Sequence, residues 1–376
     1  MCINKILIIG GYGSFGKRLA EQLCANEALT ITLAGRSIQK AQALIEKLLP
    51  ISKATLIAAE LDVEEENFEK KLTDLHPDLV LDAGGNIHDS RYLVANACID
   101  SGAHYIDLSD DRRHVCDITS LDEKAKNKGV LVISGASATP GLSSMVVDHF
   151  KSHFSHIDII DTAIAPGNKV ERGNSCVRGV LSCTGKSFMV LRNGFWQTAY
   201  GWMEPRQVEF GDGVGKRWLA NINNPDLELF PEWYAVKKNV YVQASLELLF
   251  LHLTMVGMAL AAKWSLIRNW SNLARPVIKT SHLFKSFGTD KGAMQVVVKG
   301  LSTEGKTVRV KWLLQAFNGI GTYIPTLAAL IVTEKLISGE LTCSGARPCR
   351  GLFQYNDFGE HAENLGLRVE SDLKIL

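Results

Sequence analysis

Between residues 5 and 134 the chain alternates short apolar runs with amphipathic stretches. Lys5–Ile9 (KILII) is an apolar run of the kind a buried parallel strand needs. Glycines follow, then a stretch from Ser14 to Cys24 that sets Phe15, Leu19 and Leu23 at helical spacing. Thr30–Ala34, Ala54–Ala59, Leu79–Ala83, His104–Leu108 and Val130–Ser134 read as further strands. Gln39–Leu48, Glu64–Leu75, Asp89–Ser101 and Asp117–Lys128 read as the helices between them. Strict alternation with short links predicts an α/β fold with a Rossmann-type, doubly wound parallel sheet. Such sheets bind ligands beyond the carboxyl ends of their strands, which singles out the loops after each run.

Past residue 142 the pattern changes. A helix is predicted over Ser143–Ser155, then strands over Ile157–Ile164, Gly179–Cys183 and Phe188–Leu191. Met294–Lys299 and Thr307–Leu314 flank a polar turn and read as a hairpin. Gly319–Pro325 leads into an apolar helix, Thr326–Ser338, which Gly339 ends. The expected organisation is a nucleotide-binding domain over 1–142 and an α+β domain of mixed sheet over 143–318. The segment 319–376 is expected to return to the first domain. A substrate cleft between the two domains is the usual solution, with Asn174, Thr184, Lys186 and Trp196 as candidates to line it.

The loop after the first strand reads Gly10-Gly11-Tyr12-Gly13-Ser14-Phe15-Gly16 and contains GxGxxG at Gly11, Gly13 and Gly16. In a βαβ unit these positions serve the tight turn, the approach of backbone to pyrophosphate, and helix–strand packing. The helix N-terminus behind them favours an anion. NAD sites usually carry an acid about 20 residues further on, for the ribose 2′-hydroxyl. Here the second strand ends Ala34-Gly35-Arg36-Ser37, with no acid. Arg36 offers a bidentate partner for a 2′-phosphate, Ser37 a hydroxyl and Lys40 a second charge, so NADP is the predicted cofactor. Asp62 and Val63 follow the third strand, where adenine would lie; Gly84, Asn86 and His88 follow the fourth, beside the nicotinamide.

Composition narrows the partners. Lysine plus arginine is 41 against 40 acids, a net charge of +1, and the basic residues are scattered, which argues against nucleic acid. The eight cysteines include no CxxC pair and the ten histidines no HExxH, so no metal is predicted. The first apolar run is too short for a signal peptide, which points to reduced thiols and a cytoplasmic location. The expected partners are a small-molecule substrate and further copies of the chain. Leu246–Ala262 is the most apolar stretch but carries Glu247 and His252, so it falls short of a spanning helix. It reads first as a core or subunit-interface helix, and second as a membrane-surface helix, since Lys263, Trp264, Arg268 and Trp270 follow it.

These motifs resemble the saccharopine-dehydrogenase-like NADP-binding family. GGYGSFG is similar to the opening motif of that family, ACIDSGAHYIDLSDD (97–111) to its "AC…G.HY.D" segment, and GVLVISGASATPGL (129–142) to its "G…PG" turn. RGVLSCTGKSFMVLRNG (178–194) and GARPCRGL (345–352) extend the resemblance over most of the chain. It implies an NADP-dependent oxidoreductase, with Tyr105, Asp107 and Asp110 on the fifth-strand segment facing the substrate. One departure stands out: Thr139 precedes Pro140-Gly141, where saccharopine-forming relatives tend to have an acid. This points away from saccharopine as the substrate.

The predicted reaction is hydride transfer between NADPH and an imine, carbonyl or enoyl group. His88 is the first candidate for the proton-transferring group, because its pKa suits neutrality, and Asp110 the second. A Tyr-x-x-x-Lys at Tyr234 and Lys238 matches the short-chain dehydrogenase spacing but lies about a hundred residues past the sixth strand. A non-catalytic NADP-binding regulator and a membrane-surface reductase acting on a lipid are the competing readings.

Overall fold

In a computed structural model, residues 3–84, 91–171, 173–267 and 269–375 are described. The chain forms two compact units, Met1–Leu142 with Thr322–Phe358, and Ser143–Gly321 with Gly359–Leu376.

The first unit is built on a parallel sheet of seven strands: β1 (Lys5–Ile9), β2 (Thr30–Gly35), β3 (Thr55–Glu60), β4 (Leu79–Asp82), β5 (His104–Asp107), β6 (Leu131–Ser134) and β15 (Gly345–Pro348). Their order is β15-β6-β5-β4-β1-β2-β3. All neighbours are parallel, with Ile8 opposite both Leu33 and Leu81. Helices cover both faces of such a sheet, so its central strands are apolar on each side. Ile6 to Ile9 and Leu79 to Leu81 are accordingly buried. This is the doubly wound arrangement that the alternating pattern predicts.

The second unit contains β7 (His156–Ala165), a hairpin of β8 (Ser187–Arg192) and β9 (Phe195–Tyr200), then β10 (Arg206–Glu209), β11 (Lys216–Asn221), β12 (Asn239–Ser245), β13 (Gly292–Leu301), β14 (Thr307–Ala316) and β16 (Arg368–Ile375). A mixed sheet runs β10-β11-β12-β7-β13-β14-β16, in which only β12 and β7 pair in parallel. Its two faces differ. Ile160, Val296, Val298, Val310, Trp312 and Leu314 are buried on one. On the other, Ala163, Ala293 and Leu313 lie under Phe210 and Val214, and polar side chains follow.

Three expectations are corrected. Gly179–Cys183 is the end of the helix Asn174–Cys183, not a strand, because Val177, Val180 and Leu181 fall at helical spacing against Trp202 and Met255. The helix expected over Glu64–Leu75 begins only at Phe68. The segment 319–376 does not return whole to the first unit. Its last strand, β16, instead extends the mixed sheet, with Leu373 opposite Val310 and Val369 opposite Leu314. Its sequence, RVESDLKI, is largely exposed, so no apolar run marks it as a strand.

The apolar stretch forms the helix Leu249–Lys263, followed by the helix Ala274–His282. The base of this excursion is clasped by Glu247. Its carboxylate accepts from the Thr289 N–H (2.8 Å) and hydroxyl (2.7 Å), the Asn168 N–H (2.7 Å) and Arg217 Nη2 (3.2 Å). Burial raises this carboxyl, but the bonds from Thr289, Asn168 and Arg217 outweigh burial and hold it below its usual range.

Candidate functional site

The site grows from the turn after β1. The helix Gly16–Leu23 has Phe15 as its N-cap with no side-chain capping bond, and its first turn carries no acid. Its positive end is therefore uncompensated by the protein. Gly16 sits against the turn itself: a Cβ there would land on the Gly10 carbonyl and 2.7 Å from Gly11 Cα. We expect Gly16→Val to abolish NADPH binding and to cost about 1–3 kcal/mol of stability. Nucleotide titration and thermal unfolding of the variant measure the two effects. A glycine loop with a ligand-free role would lose stability with no nucleotide binding to lose.

Tyr12 braces the loop rather than standing open to a ligand. Its hydroxyl accepts from the Ser37 N–H at 3.0 Å, and its ring covers Gly35, where a Cβ would lie 2.8 Å away. The glycine turn and the end of β2 are thereby held together. Ser37 caps the helix Ile38–Leu48, accepting from the Lys40 N–H, and its hydroxyl also donates to Gln39. Arg36, between them, is exposed and has no ion-pair partner among the described residues. That leaves its guanidinium available to a 2′-phosphate.

Behind the loop, the helix Gly16–Leu23 is locked in place. Arg18 pairs with Glu21 at 2.9 Å, donates to the Thr322 hydroxyl, and lies 4.9 Å from the Tyr323 ring centre. Tyr323 in turn donates to Glu21 at 2.7 Å. This brace comes from residues three hundred positions apart, which no local pattern announces.

The other predicted residues distribute unevenly. Asp62 accepts from the Glu64 N–H in the turn after β3, and Val63 packs on the core beside it. Gly84 follows β4 and donates its N–H to Asp82 at 2.9 Å. Asn86 and His88 lie outside the described residues. Asp110 is exposed after β5, whereas Tyr105 and Asp107 on that strand are buried. In the second unit, Thr184 is buried and donates to the Val180 carbonyl, while Lys186 and Trp196 are exposed. A polar cavity of about 590 Å³ there is lined by Asp161, Arg206, Gln295, Lys299, Arg309 and Lys311 among others, and by none of those three; the side chain of Asn174 lies outside those described. Lys238 pairs with Asp158 and Tyr234 donates to the Ser144 carbonyl, so the Tyr-x-x-x-Lys spacing makes no catalytic pair.

A buried polar cluster beneath the ends of β4, β5 and β6 was not predicted as such. Asp107 accepts from the Ser109 N–H (2.9 Å), the Gly135 N–H (2.9 Å) and the Ser134 hydroxyl (3.0 Å), and shares a 3.1 Å bond with His114 Nε2. Burial lowers the His114 pKa, but the hydrogen bond and charge of Asp107 overcome it and hold the ring above its ordinary value. Burial pushes the Asp82 carboxyl up to about 6, against the Gly84 N–H that favours its charge; Asp107 adds to the rise. Tyr105 reaches Asp82 at 3.3 Å. Asp107 was visible in the sequence; His114, seven residues on, was not. These groups fasten the strand ends that would carry the nicotinamide loops.

Together the uncapped helix, the glycines packed on backbone and the acid-free end of β2 fit a dinucleotide with a 2′-phosphate. Residues 6–133 match the saccharopine dehydrogenase NADP binding domain family. Over that stretch the first unit is similar to an NADP-binding domain of that family. Every predicted cofactor residue falls within the matched stretch, and Thr139 lies beyond it. Among solved structures, an apo saccharopine dehydrogenase (L-Glu forming) from Saccharomyces cerevisiae matches with a TM-score of 0.69. It is 13% identical, and the match covers 99% of this chain and 100% of that one. The two chains therefore share a fold, over the NADP-binding unit and the mixed-sheet unit alike. A short-chain dehydrogenase from Sphingobium yanoikuyae, in complex with NADPH, matches at a TM-score of 0.28 and 13% identity over 35% of this chain and 70% of its own. A short-chain type dehydrogenase/reductase from Mycobacterium ulcerans reaches 0.28 at 15% identity, over 36% and 67%. No curated protein sequence matches the chain. Among the described residues no cluster of metal-ligating side chains is present, and no helix is long and apolar enough to cross a membrane.

Proposed function

We propose that the chain is an NADP-dependent oxidoreductase that moves hydride between NADPH and an imine, carbonyl or enoyl substrate. The observation that carries this is the glycine turn leading into an uncapped helix, set beside an exposed Arg36, without an ion pair among the described residues, where an NAD site would place an acid. When bound, NADPH supplies the hydride; the protein's part is to bind, orient and exclude. The helix N-terminus takes the pyrophosphate, Arg36 the 2′-phosphate, and Tyr12 keeps the two at a fixed spacing through Ser37. The Asp107–His114 pair fixes the ends of β5 and β6, so that the loops beyond them meet the substrate in one arrangement. His88, and after it Asp110, are the residues proposed to give or take the proton that accompanies hydride transfer. Thr139 in place of an acid before Pro140 favours a substrate other than saccharopine.

The test is turnover of NADPH with representative imines, ketones and enoyl thioesters, and of NADP with their reduced forms. We expect one class to be turned over, and His88→Gln to lower kcat by about 10²–10⁴-fold with NADPH affinity unchanged. Tight NADPH binding with no turnover of any class would overturn the enzymatic reading in favour of a cofactor-sensing role. No binding of either nucleotide would remove both.

A further inference from the structure

From Leu248 to Thr289 the chain contains no aspartate or glutamate, yet five basic residues: Lys263, Arg268, Arg275, Lys279 and Lys285. The rest of the chain is close to charge balance, and this is the longest acid-free stretch in the sequence. It coincides with the excursion that Glu247 clasps at both ends. Its inner side is packed against the unit. Met255, Ala259 and Ala274 pack with Leu181, Trp202 and Ala220, and Trp270 Nε1 donates to the Met258 carbonyl at 2.8 Å.

The outer side stays largely open among the described residues, although Phe250 meets Phe284 and Lys263 lies over the Tyr200 ring. Eight of the sixteen large apolar side chains that are exposed among the described residues lie on this one excursion. Leu249, Phe250 and Leu253 occupy successive turns on the outside of the helix Leu249–Lys263, at 47–53% exposure. Trp264 and Leu266 follow at 68% and 74%, and Phe287 closes the run at 60%. Lys263, Arg275, Lys279 and Lys285 are exposed beside them. Soluble surfaces rarely gather this many large apolar groups unless something covers them.

Charge decides what covers them. A second copy docking through the same face would bring two cationic, acid-free runs together, with Glu204 beside Lys263 as the acid close to either. A layer with an apolar interior and anionic headgroups answers both features at once, since aliphatic and aromatic side chains enter the acyl boundary while lysine and arginine meet phosphate. We propose that this excursion is a membrane-surface anchor that lays the protein on an anionic lipid bilayer without crossing it. The helix, at 15 residues, is too short to span. The proposal does not rest on the cofactor reading and survives its failure.

The experiment is flotation of the full chain with vesicles of phosphatidylcholine alone, and of phosphatidylcholine mixed with phosphatidylglycerol. We expect binding that rises with the anionic fraction and weakens as salt is added. Trp264 fluorescence should shift to the blue on binding. The triple variant Leu249→Ser, Phe250→Ser, Leu253→Ser should lower partitioning about tenfold or more. The pair Lys279→Glu, Lys285→Glu should do the same for anionic vesicles. Both variants replace exposed side chains, and an unchanged NADPH titration or thermal midpoint certifies their fold. No binding to anionic vesicles overturns the proposal, as does binding that the triple variant retains. So does a stable dimer, seen by light scattering, that the triple variant dissolves while the parent leaves vesicles alone.

Discussion

Arg36→Ala should weaken NADPH binding about ten- to hundredfold and leave NADH binding nearly unchanged. A charge-assisted hydrogen bond to phosphate contributes about 1.5–3 kcal/mol, and each 1.4 kcal/mol is about a factor of ten in affinity. Arg36 is exposed with no ion-pair partner among the described residues, so none of that interaction is spent on breaking an existing ion pair there. Its backbone is also fixed. Gly35 before it is roofed by Tyr12, and Ser37 after it is tied to the same hydroxyl and caps the next helix. The variant therefore loses a ligand contact and not a structural one. Because the site is open, the ratio between the two nucleotides should shrink as salt rises. Calorimetric titration with both nucleotides at low and high salt measures this. Equal weakening of NADPH and NADH would mean that Arg36 serves something other than the 2′-phosphate.

Asp226→Asn should make the second unit more stable in mildly alkaline solution and change little in acid. Asp226 is wholly buried in the first turn of the helix Asp226–Trp233. Burial pushes its carboxyl up to about 8; the Ser143 hydroxyl favours the charged form but does not come into hydrogen-bond geometry with it. A carboxyl raised in the folded state holds its proton there after the unfolded chain has released it. Its contribution is thus fully present below the unfolded value of 3.8 and is lost as pH climbs towards 8, where the loss levels off. Each unit of that interval is worth about 1.4 kcal/mol at most, so the total is on the order of several kcal/mol. Asparagine cannot ionise and removes the slope. Denaturant midpoints of parent and variant, in mildly acidic and mildly alkaline buffer, show the difference. Parallel pH profiles for the two proteins would mean that the carboxyl ionises without penalty.

The parallel sheet was legible in the sequence because its strands are buried on both faces, which leaves runs such as KILII and LVLDA with no polar residue until their ends. Gly11, Gly13 and Gly16 were legible for a related reason: the turn admits no side chain, and a repeated absence is easy to see. The mixed sheet was less so. Strands such as RQVE and KRWLAN have a polar, open face, and RVESDLKI is almost entirely exposed, so period and hydrophobicity disagree. Gly179–Cys183 misled in the opposite direction, its β-branched and small residues suiting a strand until Leu181 is seen packing against Trp202 one helical turn at a time. In the site, Arg36 could be found by what was missing around it. Tyr12 as a brace, and His114 beneath Asp107, could not, because each depends on a partner brought close only by the sheet.

The crossings of the chain between its two units carry a consequence for how the protein is made. β15 and β16 enter their sheets from beyond residue 344, after every other strand of both has been laid down. A chain emerging from the ribosome therefore holds two unfinished sheets until residues 345–375 have been made. In the meantime the free margins of β6 and β14 offer unpaired backbone to any neighbour. Translation that pauses or stops before residue 345 strands both halves at once. Chaperone demand during synthesis should accordingly follow the time taken to reach and complete residues 345–375.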